Sequence, residues 1–412
     1  MKRFSPLSIA PEIQSVITLR AIPHFSPNNP VASHHVSDGV KTMKSVGLGL
    51  VVFFLAMALL HAEVRVEQVP EHGLQPEVAV APNGTVHLVY LRGDPKAADV
   101  RYTSRQPGGN WEQSKTVNTT PRTAAAIGSI RGPQIALGAS SAVHVVWNGV
   151  VEEKAGRAPL LYARLLAGAA DFEKQRDLLA NTTALDGGAS VAADAKGSVW
   201  IAWHGNPPGE KPDEAQRVVF LRTSIDGGTH FAEPAAANAS TPGVCACCSL
   251  RIVADASGAP TIFFRNALRT EHRAMTLLFP ELDQWKSREV ETWDVSACPM
   301  SSAALFPDRV GLLGAWETAG KIKVAWLTEP SATPVTLADD DAKHPAIASD
   351  GQGGWLVAWV QGTGWNRGGQ AAWMELGGSL SLRSETGHAD GVPAWGRVAV
   401  FAEGPGKFVL LK

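Results

Sequence analysis

Charge, tyrosine and cysteine are all scarce in this sequence of 412 residues. Charged residues make up 18% of it, and it contains three Tyr and four Cys. The formal net charge of −2 argues against a nucleic-acid partner or an anionic membrane surface, because both select for a dense basic patch. No apolar run reaches the roughly 20 residues that span a bilayer, so we expect no membrane span in the mature chain. The abundant residues are instead Gly (40), Pro (27) and Trp (13), which is typical of tight turns joining strands with large packing groups.

An export signal lies near the amino terminus, but it does not begin at residue 1. Met43 opens a short basic segment, residues 46–60 form an uncharged apolar run, and a small residue, Ala62, follows. This order is typical of a secretory signal peptide, and the short run favours cleavage over an uncleaved anchor. The sequence therefore divides into a non-native extension from an early start (1–42), a signal peptide (43–62) and a secreted or periplasmic mature domain (63–412).

One pattern recurs six times along the mature domain. It consists of a short apolar strand, a turn that usually contains glycine, and an alternating strand that ends on an aromatic residue. The first copy runs from Pro76 to Tyr90 and the third from Ala189 to Trp203. Each copy supplies two strands, and the residues between copies supply two more. The repeats predict an all-β, six-bladed β-propeller of four-stranded antiparallel blades, whose closing aromatics are Tyr90, Trp147, Trp203, Phe264, Trp316 and Trp359.

A β-sandwich is the alternative all-β architecture, but it gives no reason for six copies of one pattern. In a propeller, radial closure leaves only short and protected sheet edges. Two strand patterns at the carboxyl terminus, 397–401 and 407–411, are expected to complete the ring.

The octapeptide 224–231 carries the most specific local motif of the chain. Its structural residues are Ser224, Asp226, Gly228 and Phe231. Asp and Ser side chains accept hydrogen bonds from nearby backbone N–H groups, and glycine takes a turn conformation that other residues resist. The segment resembles the S-x-D-x-G-x-x-[WF] Asp box, or BNR repeat, of the sialidase (neuraminidase) superfamily. A degenerate copy of the motif at 104–111 has Gln106 in place of the Asp.

The resemblance covers roughly residues 70–412 and implies one functional face, opposite the Asp boxes. That face holds the loops that follow each closing aromatic and those that lead into each blade. The family's site implies three Arg that grip a carboxylate, an Asp acid/base and a Tyr nucleophile activated by a Glu. Here Gln75 stands where the first Arg belongs, and His344 lies where the Tyr belongs. Standard sialidase chemistry is therefore not expected.

Other positions on this face match the family's pattern better. The loop after the first closing aromatic offers Asp94 or Asp99 as the catalytic acid, and Arg265 fits a second Arg. The accompanying candidates for ligand binding are Arg92, Arg269, His204, Glu317 and His344. Loop charges are also commonly no more than solvated surface groups. Two hypotheses stand: a monomeric glycan-recognising protein or exo-glycosidase with a non-standard site, and a non-catalytic propeller that binds a glycan, protein or soft metal.

All four cysteines fall in two loops of the functional face. They are Cys245, Cys247, Cys248 and Cys298, the last followed by Pro299 and Met300. In an exported protein disulfides are the default, and we expect one bond from the trio to Cys298 that ties two blades together. The alternative is a thiolate site for Cu(I) or Zn(II), helped by Met300, His204 or His272. No other cofactor is expected.

Overall fold

The computed structural model describes residues 63–412 except 129, 152–156, 180–181, 183–184, 210–212, 256, 270, 283, 339 and 365. The extension expected at 1–42 and the signal peptide expected at 43–62 lie outside the described residues. Among the residues that are described, no helix has the length and apolar composition needed to cross a membrane.

Short strands joined by turns make up the described chain. In chain order they are β1 (Glu63–Glu67), β2 (Leu74–Val80), β3 (Val86–Asp94), β4 (Ala97–Arg105), β5 (Lys115–Thr116), β6 (Gln134–Leu137), β7 (Val143–Asn148), β8 (Leu160–Leu165), β9 (Arg176–Asp177), β10 (Ser190–Ala193), β11 (Val199–Gly205), β12 (Val218–Ser224), β13 (Ala235–Ala236), β14 (Arg251–Ala254), β15 (Pro260–Arg265), β16 (Met275–Glu281), β17 (Gln284–Glu291), β18 (Ala304–Asp308), β19 (Gly311–Thr318), β20 (Lys321–Trp326), β21 (Val335–Ala338), β22 (Ala342–Ser349), β23 (Trp355–Gln361), β24 (Gly369–Leu376), β25 (Gly387–Val392), β26 (Ala399–Gly404) and β27 (Lys407–Leu411). Single 3-10 turns occur at Pro70–His72, Ala139–Ser141 and Glu214–Gln216.

The strands form seven sheets, which are the blades of a propeller. Blades 1 to 6 each contain four consecutive antiparallel strands, β2–β5, β6–β9, β10–β13, β14–β17, β18–β21 and β22–β25. Blade 7 has three strands in the order β1, β27, β26. The innermost strand is β26 in blade 7 and the first strand in every other blade. Each innermost strand packs against those of the neighbouring blades, so these strands surround the propeller axis. The predicted propeller of four-stranded antiparallel blades is confirmed, but the predicted number of six blades is wrong.

Blade 7 explains why repeat counting gave six. Its two antiparallel strands, β26 and β27, were expected to complete the ring of six, yet they form a separate sheet. The third strand comes from the other end of the described chain, because β1 pairs in parallel with β27 from Glu63↔Lys407 to Glu67↔Leu411. A sheet assembled from both ends contains no copy of the repeated pattern, so self-similarity cannot reveal it.

The core lies between adjacent blades rather than within one of them. The six closing aromatics are all at most 2% exposed. Trp203 of blade 3, for example, belongs to a cluster that includes Val146 and Tyr162 of blade 2. Burial of such large side chains contributes most of the favourable free energy of a propeller core, since each removes about 150–250 Å² from water.

The octapeptide 224–231 forms the turn between β12 and β13. Ser224 Oγ donates to Asp226 Oδ1 at 2.7 Å and accepts from the N–H of Gly228 at 2.9 Å. Asp226 Oδ1 also accepts from the N–H of His230 at 2.9 Å, and Gly228 takes a φ of 79° that favours glycine. Phe231 packs edge-on against Tyr162 of the preceding blade, with ring centroids 5.2 Å apart. The turn thus fixes one blade against another.

Candidate functional site

A cavity of about 430 Å³ lies among the innermost strands of the propeller. Its walls come from β2, β18, β22 and β26, together with the first residue of β14. Most of the lining is apolar, because the innermost strands consist mainly of apolar residues, but a few polar groups interrupt it. These are Glu77, Arg251, Ser302, Asp308, His344, Ser349 and Arg397.

Arg397 is the most unusual of these groups, because it is a buried cation with unused donors. The residue is 4% exposed, and its Nε and Nη2 atoms have no hydrogen-bond partner among the described residues. These two nitrogens form one edge of the guanidinium, the edge that binds a carboxylate with two parallel hydrogen bonds. Burial and the nearby Arg251 lower the pKa of Arg397 to about 10, so the group remains charged at neutral pH.

Arg251 and Glu77 bridge the axis beside Arg397. Arg251 Nη2 lies 2.9 Å from Glu77 Oε2, and its Nε donates to the Ala303 carbonyl at 2.8 Å. Gln134 Nε2 donates to the same carboxylate oxygen at 3.4 Å. One cation of the cavity is therefore neutralised, whereas Arg397 is not.

His344 lies on the wall next to Arg397 and is uncharged. Its Nδ1 is 3.1 Å from Ser302 Oγ, and its backbone takes a left-handed φ of 58°. Burial, Arg397 and Lys343 together lower the pKa of His344 to about 3. With a neutral imidazole, two guanidiniums and one carboxylate, the groups around Arg397 carry a net charge of +1, and Asp308 brings the whole lining of the cavity to 0.

Gly132 and Gln75 close the space on one side of Arg397. A Cβ atom at Gly132 would come within 2.5 Å of Arg397 Nη2 and 2.8 Å of Gln75 Oε1, so only glycine fits. Gln75 is fully buried, and its Nε2 donates to the Ala126 carbonyl at 2.6 Å. Its Oε1, like the Arg397 edge, has no partner in the described part of the chain. Gln75, which stands where the resemblance implies an Arg, thus lies beside the Arg397 edge.

The two predicted catalytic acids accept hydrogen bonds in the loops of blade 1. Asp94 Oδ1 accepts from the N–H of Lys96 at 2.9 Å. Asp99 Oδ1 accepts from Asn118 Nδ2 at 2.8 Å and from the N–H of Arg122 at 2.6 Å. Neither residue lines the central cavity. Arg92 is exposed and lies 3.6 Å from Glu71, so blade 1 does not bring its three candidates to the axis.

Two predicted site residues, Arg265 of blade 4 and Glu317 of blade 5, are buried together, away from the central cavity. Arg265 Nη1 donates to the Arg273 carbonyl at 3.1 Å, and its Nη2 donates to the Glu317 carbonyl and lies 3.7 Å from Glu317 Oε2. Its guanidinium also stacks over Trp293, 5.2 Å from the ring centroid. Arg269 lies in a separate exposed depression with Glu271, His272 and Asp294. Of the residues selected from the sequence for ligand binding or catalysis, His344 alone lines the central cavity.

The four cysteines form one cluster beside Arg265. Cys247 and Cys298 are joined with their Cα atoms 6.3 Å apart, in agreement with the predicted bond between the two loops. Cys245 and Cys248 are free and buried, with sulfurs 3.4 Å apart, and Cys245 Sγ lies 3.6 Å from Cys247 Sγ. The sequence indicated the cluster, but it did not indicate which cysteines stay reduced.

Polar groups surround the free pair on several sides. The hydrogen bond from Cys245 lowers the pKa of Cys248 to about 7, and the neighbouring Arg265 acts in the same direction. The same hydrogen bond and burial raise the pKa of Cys245. Glu214 accepts from the N–H of Ala246 at 2.7 Å and pairs with Arg273 at 2.7 Å. The pair therefore holds one of its two protons weakly at neutral pH.

His204 holds the loop but offers no free nitrogen. Its Nε2 donates to the Cys248 carbonyl at 2.8 Å, and its Nδ1 accepts from Arg217 Nη1 at 3.3 Å. Burial and Arg217 lower its pKa to about 4, which keeps the ring neutral. A Cβ atom at Gly187 would meet both His204 Nε2 (2.1 Å) and the Cys248 carbonyl (2.3 Å), so blade 3 packs directly onto the cysteine loop.

The sequence reasoning missed Arg397, Arg251 and Glu77. Each lies in or next to an apolar innermost strand, where the alternation directed attention to packing. A charged residue at the start of such a strand was the available signal, because lone charges are rarely buried without a partner or a role.

Comparison with known proteins gives remote structural likenesses. No protein-family model matches the chain, and no curated protein matches its sequence. Among solved structures, the Hadza microbial sialidase Hz136 is 11% identical, with a TM-score of 0.47 over 79% of this chain and 76% of that one. The Fusarium graminearum GH93 α-L-arabinofuranosidase is 9% identical, with a TM-score of 0.48 over 73% and 92%. The six-bladed, fucose-recognising lectin of Aleuria aurantia is 10% identical, with a TM-score of 0.48 over 77% and 94%. These identities are too low to indicate a shared activity.

Proposed function

We propose that the chain is an exported binding propeller that recognises an acidic sugar, or a similarly small carboxylate, in its central cavity. The observation that carries the proposal is the unpartnered Nε–Nη2 edge of Arg397, buried in the wall of that cavity. A buried guanidinium edge whose two donors lack acceptors is costly, and a bidentate carboxylate removes that cost.

The size and charge of the cavity fit this class of ligand. Its 430 Å³ falls in the range of about 300–1,000 Å³ that small-molecule pockets occupy. The net charge of +1 among Arg397 and the two charged groups that act on it, Arg251 and Glu77, matches one carboxylate. Apolar walls from residues such as Val398 and Phe401 suit a sugar ring, whereas His344 and Ser302 offer polar contacts for hydroxyl groups.

Recognition is favoured over glycoside hydrolysis by the positions of the reactive groups. The three tyrosines, Tyr90, Tyr102 and Tyr162, are at most 6% exposed, and none lines the cavity. Two acids line the wall: Glu77 is paired with Arg251, and Asp308 accepts from the N–H of Val310 at 3.1 Å. The predicted acids Asp94 and Asp99 support blade 1 loops. A hydrolase needs two free carboxylates, or a tyrosine, at one place.

Calorimetric titration with D-glucuronate tests the proposal, with neutral D-glucose as the matched ligand. We expect glucuronate to bind and glucose not to bind. The Arg397→Met variant should weaken glucuronate binding at least about tenfold, since it removes two charge-assisted hydrogen bonds. Arg309→Met, which changes an exposed arginine, is the control and should bind as the native protein does.

The same variant also separates a ligand site from a structural arginine. Replacing an unpartnered buried cation by an apolar side chain of similar length should raise the melting temperature. A protein that Arg397→Met destabilises, and that binds no glucuronate, would instead hold this guanidinium with ordered water. That result would end the proposal.

A further inference from the structure

The free cysteines form a second site that the carboxylate proposal leaves unexplained. We propose that Cys245 and Cys248 bind a monovalent, sulfur-seeking metal ion of the Cu(I) class. The inference is independent of the central cavity, because it rests on a different set of side chains in the loop between blades 3 and 4.

The sulfur positions suit a shared metal ion. The Sγ atoms of Cys245, Cys247 and Cys248 all lie within 4.8 Å of one another, and the free pair is separated by 3.4 Å. Two thiolates at about 2.3 Å from one ion are separated by about 3.8 Å at a tetrahedral angle and by about 4.6 Å when the ion is two-coordinate and linear. The pair therefore has to open by roughly 0.4–1.2 Å to admit an ion.

The side chains available as ligands favour a soft ion with a low coordination number. The bond between Cys247 and Cys298 leaves two thiols, which is half of the four ligands that a structural zinc site uses. Imidazole cannot complete the set, because both nitrogens of His204 are in use. His272 is likewise held between Glu289 and Asp294, at 2.9 and 3.3 Å. Sulfur ligands without nitrogen or oxygen partners favour Cu(I).

The charges around the pair favour a monovalent ion. The groups that act electrostatically on the two sulfurs are Arg217, Arg265, Arg273, Glu214 and Glu317. Three guanidiniums and two carboxylates leave this shell with a net charge of +1. Two thiolates with one Cu(I) carry −1, so the buried assembly becomes neutral. The same thiolates with Zn(II) are neutral and would leave the shell's charge uncompensated.

The loop that presents the sulfurs is held in place before any ion binds. The N–H of Cys245 donates to the Arg265 carbonyl at 3.0 Å, and the N–H of Ser249 donates to the Ser301 carbonyl at 3.1 Å. Cys245 and Cys248 are 0% and 3% exposed. A rigid and water-excluded pair of thiols loses little entropy on binding, which favours high affinity.

Anaerobic titration with Cu(I), in competition with a chromogenic Cu(I) chelator, tests the inference. We expect one Cu(I) per chain in protein that has not been reduced. Cys245→Ser and Cys248→Ser should each weaken binding at least about 100-fold. The matched control is the double variant Cys247→Ser/Cys298→Ser, which keeps the free pair and should stay within about tenfold of the native affinity.

Alkylation of the native chain keeps the test decisive if a variant fails to fold. Denatured, unreduced protein should show two reactive thiols, which peptide mapping places at Cys245 and Cys248, and prior loading with Cu(I) should protect both. Absence of free thiols, Cu(I) binding that survives Cys248→Ser, or tighter binding of Zn(II) than of Cu(I) would each overturn the inference. The Arg397→Met variant should bind Cu(I) normally, so either proposal can fail without the other.

Discussion

Arg251 and Glu77 connect blades 4 and 1 across the propeller axis, with 2.9 Å between Arg251 Nη2 and Glu77 Oε2. These blades are not neighbours in the ring of seven. The pair therefore joins blades that the blade-to-blade core does not join directly, and it also acts electrostatically on Arg397.

Glu77→Gln should have opposite effects on stability and on ligand affinity. Loss of the carboxylate leaves Arg251 underpartnered and should lower the free energy of unfolding by about 1–3 kcal/mol. It also raises the net charge beside Arg397 from +1 to +2, so glucuronate should bind several-fold more tightly. Urea unfolding and calorimetry measure the two effects, with the exposed Glu385→Gln as the control. Weaker glucuronate binding would contradict the charge argument.

The native protein should lose stability as the pH falls below about 6.5, and His344 should account for part of the loss. Its pKa is about 3 in the folded chain against 6.5 as the ordinary value, so the unfolded chain binds one more proton between these limits. Each such histidine costs about 1.4 kcal/mol per pH unit in that window.

His344→Asn should reduce this slope, and asparagine tolerates the left-handed backbone at that position. His204 and His144, whose pKa values are lowered to about 4, should retain the rest. Urea unfolding at intervals from pH 7 to pH 4 measures the slope. An unchanged slope in the variant would mean that the imidazole is not buried as described.

Asp226→Asn should destabilise the turn between β12 and β13 at neutral pH. Hydrogen bonds from the N–H of His230 and from Ser224 lower the pKa of the Asp226 carboxyl below its usual 3.8. The stabilisation by the charged form is complete above pH 3.8 and is lost as the pH falls through the lowered value. The gap in urea midpoint between native protein and variant should thus narrow in acid, and the exposed Asp171→Asn should show no gap. A difference in urea midpoint that widens in acid would contradict stabilisation of the turn by the charged Asp226.

Gly187→Ala should disturb the cysteine loop without touching a cysteine. The added Cβ atom would overlap His204 Nε2 and the Cys248 carbonyl, and the backbone carbonyl cannot move aside cheaply. We expect a loss of about 1–3 kcal/mol in stability and at least tenfold weaker Cu(I) binding. Gly404→Ala, whose Cβ atom meets nothing within 4 Å, is the matched control. Normal Cu(I) affinity in Gly187→Ala would show that this packing does not position Cys248.

The sequence predicted those features that repeat along the chain or form local motifs. The closing aromatics, such as Trp147 and Trp359, are buried between blades as their periodic positions indicate. The link from the 245–248 loop to Cys298 also follows from the clustering of the cysteines and from the disulfides expected of an exported protein. What escaped prediction depends on three-dimensional closure: β1 joins β27 from the far end of the chain, and Arg397 meets Gln75 and Gly132 only around the axis. No local periodicity encodes such contacts, because each partner lies in a different blade.

The parallel pairing of β1 with β27 has a consequence for the order of folding. Strand β1 precedes blades 1 to 6 along the chain, whereas its partner β27 follows them. Each of blades 1 to 6 consists of consecutive strands and can form locally, but blade 7 requires both β1 and β27. Until blade 7 forms, the apolar faces of blades 1 and 6 that pack on it stay uncovered. Ring closure therefore depends on a contact of high sequence separation, and removal of β1 or β27 should leave an open, aggregation-prone chain.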